Sequence, residues 1–128
     1  MEVRLDLVGI VTRDMRASLA FYRRLGLDAP EGSEDAPHAE AQTPGGLRVA
    51  WDAVELVEGI YPDYAAPSGG HRISLAFLLP SPAAVDEKYA ELAALGHGSK
   101  EPWDAPWGQR YAVVTDPDGN HVDLFAPL

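Results

Sequence analysis

The chain has 128 residues, enough to bury a core without covalent staples, and no cysteine, which excludes a disulfide framework, a thiolate zinc site and a cysteine nucleophile. Twenty acidic residues against ten basic give a formal charge of −10 with no compensating Lys/Arg cluster, a field that repels phosphate backbones and excludes nucleic acid as a partner. No stretch approaches the ~20 apolar residues of a membrane span and no basic-then-apolar leader is present, so residence in the cytoplasm, with no membrane partner, is the expectation.

In chain order, Leu5 to Val11 is an apolar run that suits a covered strand. Asp14 offers a helix N-cap, and Met15, Ser18, Leu19, Tyr22 and Leu25 follow at three- and four-residue steps, making one helical face. Gly26 supplies the stop. Short strand-like segments come next: around Leu27, then His38 to Thr43, then Leu47 to Trp51, with Pro44-Gly45-Gly46 as a turn between the last two. Val54 to Gly70, punctuated by Gly59, Pro62, Pro67, Gly69 and Gly70, reads as a loop.

The same grammar then returns. Ile73 to Leu79 is strand-like, and Ser81-Pro82 is a strong helix start, with Ser as cap and Pro in the first turn. Val85, Tyr89, Leu92 and Leu95 continue the helical face until Gly96. A loop with Pro102, Trp103, Pro106 and Trp107 leads to a run from Gln109 to Thr115 and a last run from His121 to Phe125. Between these two runs, Asp116-Pro117-Asp118-Gly119-Asn120 reads as a tight hairpin, because Pro117 fits the second turn position and Gly119 accepts positive φ. The chain is therefore read as one α+β domain over 1–128 made of two similar halves, module one about 1–58 and module two about 70–128. Neither half has a complete core of its own.

Four pieces of text in this order resemble the vicinal oxygen chelate superfamily, which includes glyoxalases, extradiol dioxygenases and bleomycin-resistance proteins. They are Asp14-x-x-x-Ser18-Leu19-x-Phe21-Tyr22-x-x-Leu25-Gly26-Leu27, Ser74-Leu75-Ala76-Phe77, Trp107-Gly108-Gln109-Arg110-Tyr111, and Asp116 through Leu124. The resemblance implies paired βαβββ modules whose curved mixed sheets form a cleft. It also implies a homodimer with clefts at the interface, in some members with modules exchanged between chains.

Enzymes of that superfamily usually hold a divalent metal through four His or Glu positions, two per half. The resemblance places these at Leu7, at Ser74, near Val49 to Trp51, and at Asp123. An alkyl group ligates nothing and a serine hydroxyl is a poor ligand, so no catalytic metal and no cofactor are expected. A one-residue slip would bring Asp52 to the third position, which still leaves too few ligands. Among the histidines, His71 is three residues from Ser74 and by odd parity is expected to face away from it, exposed near the strand start. His121 shares parity with Asp123, His97 follows Gly96 and is expected to be exposed, and the direction of His38 is not legible.

Removing the ligands leaves a preformed cavity that binds rather than reacts. The residues expected to line it are Leu7, His38, Trp51, Ser74, Trp103, Trp107, Gln109, Tyr111 and Asp123. Their aromatic rings suit a flat ligand and can also hold a cation. Arg110, of opposite parity to Gln109 and Tyr111, is expected to pair with a carboxylate. Phe21, Tyr22, Phe77 and Tyr89 read as core. Metal-free members of the superfamily include proteins that sequester antibiotics such as bleomycin and mitomycin, so the resemblance implies a non-catalytic binder of an aromatic or amphipathic natural product, in a self-resistance role. The alternatives are a metal-free lyase, isomerase or cyclase using Asp123, His121 or Tyr111 as acid or base, and a metal-dependent glyoxalase or dioxygenase.

Overall fold

The computed structural model describes residues 1–128. The chain divides into two compact units, Met1–Ser68 and Gly69–Leu128, the first a mixed sheet with helices and the second a mixed sheet with one helix.

In the first unit, β1 (Leu7–Thr12) leads into α1 (Met15–Arg23). The Asp14 carboxylate accepts a hydrogen bond from the Ala17 N–H at 3.1 Å, satisfying one of the orphan donors of the first turn. The chain leaves the helix through Gly26 at φ 88°, a conformation that disfavours any residue with a Cβ. Then come β2 (His38–Gln42), β3 (Arg48–Ala53) and α2 (Val54–Ile60). The sheet order is β1-β3-β2, with β3 parallel to β1 and antiparallel to β2. Alternation along the strands sends Ile10, Thr12, Ala39, Ala41, Val49 and Trp51 into the core with Leu19 and Tyr22 of α1. The Tyr22 and Trp51 rings meet at 5.8 Å. Each fully buried large side chain of this kind contributes about 1.5–3 kcal/mol.

Two expectations fail in this unit. The segment around Leu27 is not a strand: its N–H bonds back to the Tyr22 carbonyl at 3.0 Å, closing the helix end, and its side chain fills the core. The residues after Trp51 are not all loop, because α2 grows directly out of β3. Val57 is its buried residue and Ala53 gives it no side-chain cap, so the usual start signal is missing.

In the second unit, β4 (Leu75–Leu78) is followed by α3 (Pro82–Ala94), whose Ser81 cap accepts from the Ala84 N–H at 3.1 Å. Strands β5 (Gly98–Ala105), β6 (Gln109–Thr115) and β7 (His121–Pro127) complete a sheet of order β4-β7-β6-β5. Ala112, Val114, Val122 and Leu124 face Val85 and Leu92 of α3 and are buried. The stretch with Pro102 and Trp103, expected as a loop, is the second half of β5. It is tolerated because β5 is an edge strand, where a missing N–H costs no ladder bond, and its register shifts on both sides of Lys100.

The hairpin between β6 and β7 is held by one side chain. The nearly buried Asp116 carboxylate accepts from the N–H groups of Asp118 and Asn120 at 2.9 Å each, and from the Asn120 side-chain amide at 2.8 Å. Gly119 sits at φ 88°. That turn fixes which residues of β7 point away from α3: His121, Asp123 and Phe125.

Candidate ligand-binding face

The face of the second sheet opposite α3 follows from register. Antiparallel partners share a face, so Tyr111 opposite Phe125, Val113 opposite Asp123, and Trp103 opposite Tyr111 place an aromatic row beside a carboxylate. Trp107, in the turn before β6, folds over this row and donates its Nε1 hydrogen to Gln109 Oε1 at 2.9 Å. Ring centroids lie 5.5 Å apart for Trp103 and Tyr111, 5.4 Å for Trp107 and Tyr111, and 6.1 Å for the two tryptophans, all near edge-to-face. Phe125 stacks on Tyr111 at 6.2 Å. The cluster is not sealed: Trp107 keeps 59% of its surface and the neighbouring Leu78 keeps 67%. Lys100 places its ammonium 4.5 Å above the Trp103 ring, a cation–π contact within the chain.

Asp123 anchors the polar end. Its Oδ2 accepts a short hydrogen bond from the Tyr111 hydroxyl at 2.6 Å and a long one from Ser74 at 3.5 Å, while Oδ1 has no protein partner. Burial, followed by the hydrogen bond to Asp123 and its charge, pushes the Tyr111 phenol up to about 12. Tyr111 therefore stays a donor at neutral pH, with Asp123 Oδ2 as its acceptor.

Of the sequence-expected site residues, this face brings together Ser74, Trp103, Trp107, Gln109, Tyr111 and Asp123. Arg110 points to the other side, as its parity requires, and bonds Asp86 at 2.8 Å and Asp104 at 3.1 Å. His71 is exposed, but it does not face away from Ser74's side. The strand begins only at Leu75, so strand parity does not reach residue 71, and the His71 ring lies 4.3 Å from that of His121. His97 is half-buried rather than exposed, its Nδ1 2.9 Å from the Thr115 carbonyl. Phe125 and Lys100 were not anticipated; Phe125 was legible, being two residues from Asp123 on one strand, whereas Lys100 is hidden by the bulge in β5.

The first sheet carries the remaining three expected residues, and they differ in kind. Trp51 is a core residue, not a lining one: it is fully buried on the α1 side of β3 against Tyr22. Leu7 lies half-buried on the opposite face, level with Arg48. His38 shares that face. Its Nδ1 is 2.6 Å from Asp52 and its Nε2 2.8 Å from Glu40, while Arg48 donates to Glu40 at 2.7 Å and to Asp6 at 2.6 Å. Carboxylates only accept, so both imidazole nitrogens must donate, and the charged imidazolium is the form that satisfies the pair. Accordingly Glu40, then Asp52, raise the His38 pKa, and His38, then Arg48, lower that of Glu40.

The residues at the metal positions do not fit a metal. Measured from the helix caps, Leu7 and Ser74 are equivalent, each seven residues before its cap. Asp123 pairs with Ala76, five residues before Ser81; the matching residue before Asp14 is Gly9, whose partner is Ala50. The third position is thus Ala50, and Asp52 lies one pair further on, engaged by His38. Leu7 and Ala50 offer no donor atom, and no group of three or more His, Asp or Glu side chains is arranged to hold an ion.

A family model described as Glyoxalase/Bleomycin resistance protein/Dioxygenase superfamily matches residues 4–124. The uncharacterized protein YwbC of Bacillus subtilis (strain 168) aligns over 140 residues at 27% identity, covering 98% of each chain. Among solved structures, a glyoxalase/bleomycin resistance protein/dioxygenase family enzyme from Burkholderia phytofirmans PsJN is similar at a TM-score of 0.83 and 26% identity, over 98% of this chain and 100% of its own. A glyoxalase/bleomycin resistance protein/dioxygenase from Nocardioides is similar at 0.76 and 27% identity, over 100% of this chain and 85% of its own.

Proposed function

We propose that this chain, which belongs to the glyoxalase/bleomycin resistance protein/dioxygenase superfamily, is a metal-independent binder of a flat aromatic or amphipathic small molecule of the natural-product or antibiotic type, acting by sequestration. One observation carries the reading: four aromatic rings, one of them largely exposed, stand on a single sheet face beside a carboxylate with an unspent oxygen. The rings supply stacking area, worth about 0.5–1.5 kcal/mol per pair beyond burial. Asp123 Oδ1 then selects for ligands that present an N–H or O–H beside the ring. No step of this reading passes through a metal, because Leu7 and Ala50 stand where ligands would be needed.

Titration with a panel of DNA-damaging antibiotics, bleomycin and mitomycin among them, tests it through tryptophan fluorescence. Quenching that saturates near one ligand per chain is expected. Replacing Trp103 and Trp107 together by alanine removes most of the quenching, since the fully buried Trp51 stays out of reach. Unchanged emission and unchanged melting temperature across the panel sink the proposal.

A second reading has its own support. The 2.6 Å Tyr111–Asp123 bond is a donor–acceptor pair suited to moving a proton, and the Burkholderia relative is described as an enzyme. Turnover of a bound compound that disappears in Asp123→Asn would favour a metal-free lyase or isomerase.

A further inference from the structure

We infer that Lys100 makes the aromatic face two-ended. The flat ligand proposed above, on which this inference rests, then carries a carboxylate as well as an N–H or O–H donor, the two on opposite sides of its ring system. Strand β5 gives Lys100 this place through its irregularity. Lys100 and Trp103 are three residues apart, which in a regular strand puts them on opposite faces. Their partners on β6, Val113 and Tyr111, are only two apart. One extra residue on β5 therefore restores a common face, as a bulge does when it re-aims a side chain. The ammonium ends 4.5 Å above the Trp103 ring.

Register then sets the distance to Asp123. Lys100 pairs with Val113 and Val113 with Asp123, so a cation, a small apolar floor and a carboxylate form one row across three strands. Two strand spacings separate its ends, about 10 Å between backbones. The neighbouring row is Trp103, Tyr111 and Phe125. Both charged groups lean towards that aromatic row, Lys100 over Trp103 and Asp123 onto the Tyr111 hydroxyl. A flat ligand on the rings thus meets an ammonium on the β5 side and Asp123 Oδ1 on the β7 side.

The ammonium is also uncommitted. Acidic residues outnumber basic ones twenty to ten, and Arg16, Arg23, Arg48, Lys88 and Arg110 each contact a carboxylate. Lys100 is exposed and pairs with no carboxylate of the chain; its partner is the Trp103 ring. A ring face takes one side of an ammonium and leaves N–H donors pointing outward. A ligand ammonium at the Trp103 end would meet like charge, whereas a ligand carboxylate there gains a partner. The donor end of the ligand is left to Asp123.

Two probes that differ at one end only provide the test: an aminomethyl naphthoic acid, its substituents on opposite rings, and the corresponding primary carboxamide. Isothermal titration calorimetry at low salt reads both affinities. The carboxamide is the more positive probe, and the formal charge of −10 favours it at long range. Tighter binding of the acid therefore has to come from a local cation. Wild type is expected to bind the acid about threefold more tightly, the size of an exposed ion pair. Lys100→Met keeps an apolar stem over Trp103 without the charge and is expected to reverse the preference, while Lys100→Arg keeps it. Lys100 is exposed, so both variants are expected to melt as wild type does. Equal or weaker binding of the acid by wild type would overturn the inference. So would a Lys100→Met protein that keeps the preference or weakens both probes alike, the mark of a purely structural lysine. Either result leaves an aromatic binder in place. If wild type binds neither probe the inference also falls, and the antibiotic titration above decides the proposed function separately.

Discussion

Tyr111 holds its proton more firmly than an ordinary phenol, with consequences at high pH. Burial and the neighbouring Asp123 carboxylate both oppose the tyrosinate, which lifts the group from 10.0 to about 12. In the unfolded chain the phenol ionises near its ordinary value. The contribution of this group to stability is therefore complete below pH 10 and is lost as pH rises towards 12. Ultraviolet titration is expected to show the Tyr111 ionisation late, and moved down in Asp123→Asn because the carboxylate charge vanishes while burial remains. An Asp123→Asn titration that overlays the wild type would show that the 2.6 Å bond does not form in solution. The candidate site was largely legible at this scale: Gln109, Tyr111 and Asp123 lie on strands, where period-two parity assigns a face. Trp51 was misread because parity gives two faces without saying which one meets the helix. The contact with Tyr22 decides that.

Among the elements, the β6–β7 hairpin positions Asp123 and depends most on a single residue. Asp116 supplies both acceptor oxygens to three donors of the turn from a nearly buried position. Asp116→Ala removes charge-assisted bonds and leaves two part-buried N–H groups without their acceptor, at an expected cost of about 2–3 kcal/mol. Thermal melting measures it, and a change within the noise of a surface substitution would contradict this account of the turn. Helices α1 and α3 were legible from Asp14, Ser81, Gly26 and Gly96, since caps and stops are local chemistry. Helix α2 was not, because it starts from Ala53 without a capping side chain. Strand β5 was obscured by Pro102, which is a loop signal everywhere except on a sheet edge.

For the molecule as a whole, the charge of −10 biases what it binds. With Asp123 Oδ1 available beside the aromatic row, a flat ligand bearing an ammonium group is expected to bind more tightly than its carboxylate analogue. That difference should shrink as salt screens the long-range field. Paired fluorescence titrations at low and high ionic strength check this. Equal affinities for the two analogues at low salt would show that stacking alone sets the preference. No helix is long and apolar enough to cross a membrane.

The α+β class, the repeated strand–helix grammar, the closing hairpin and the absence of ligating side chains at Leu7 and Ser74 were determined by the sequence alone, because each rests on local chemistry or residue type. Only the tertiary structure decided that the third metal position is Ala50, that Trp51 belongs to the core, that His71 meets His121, and that His38 is spent between Asp52 and Glu40. These depend on strand register and on contacts between residues far apart in the chain, which periodicity constrains to a face but not to a partner.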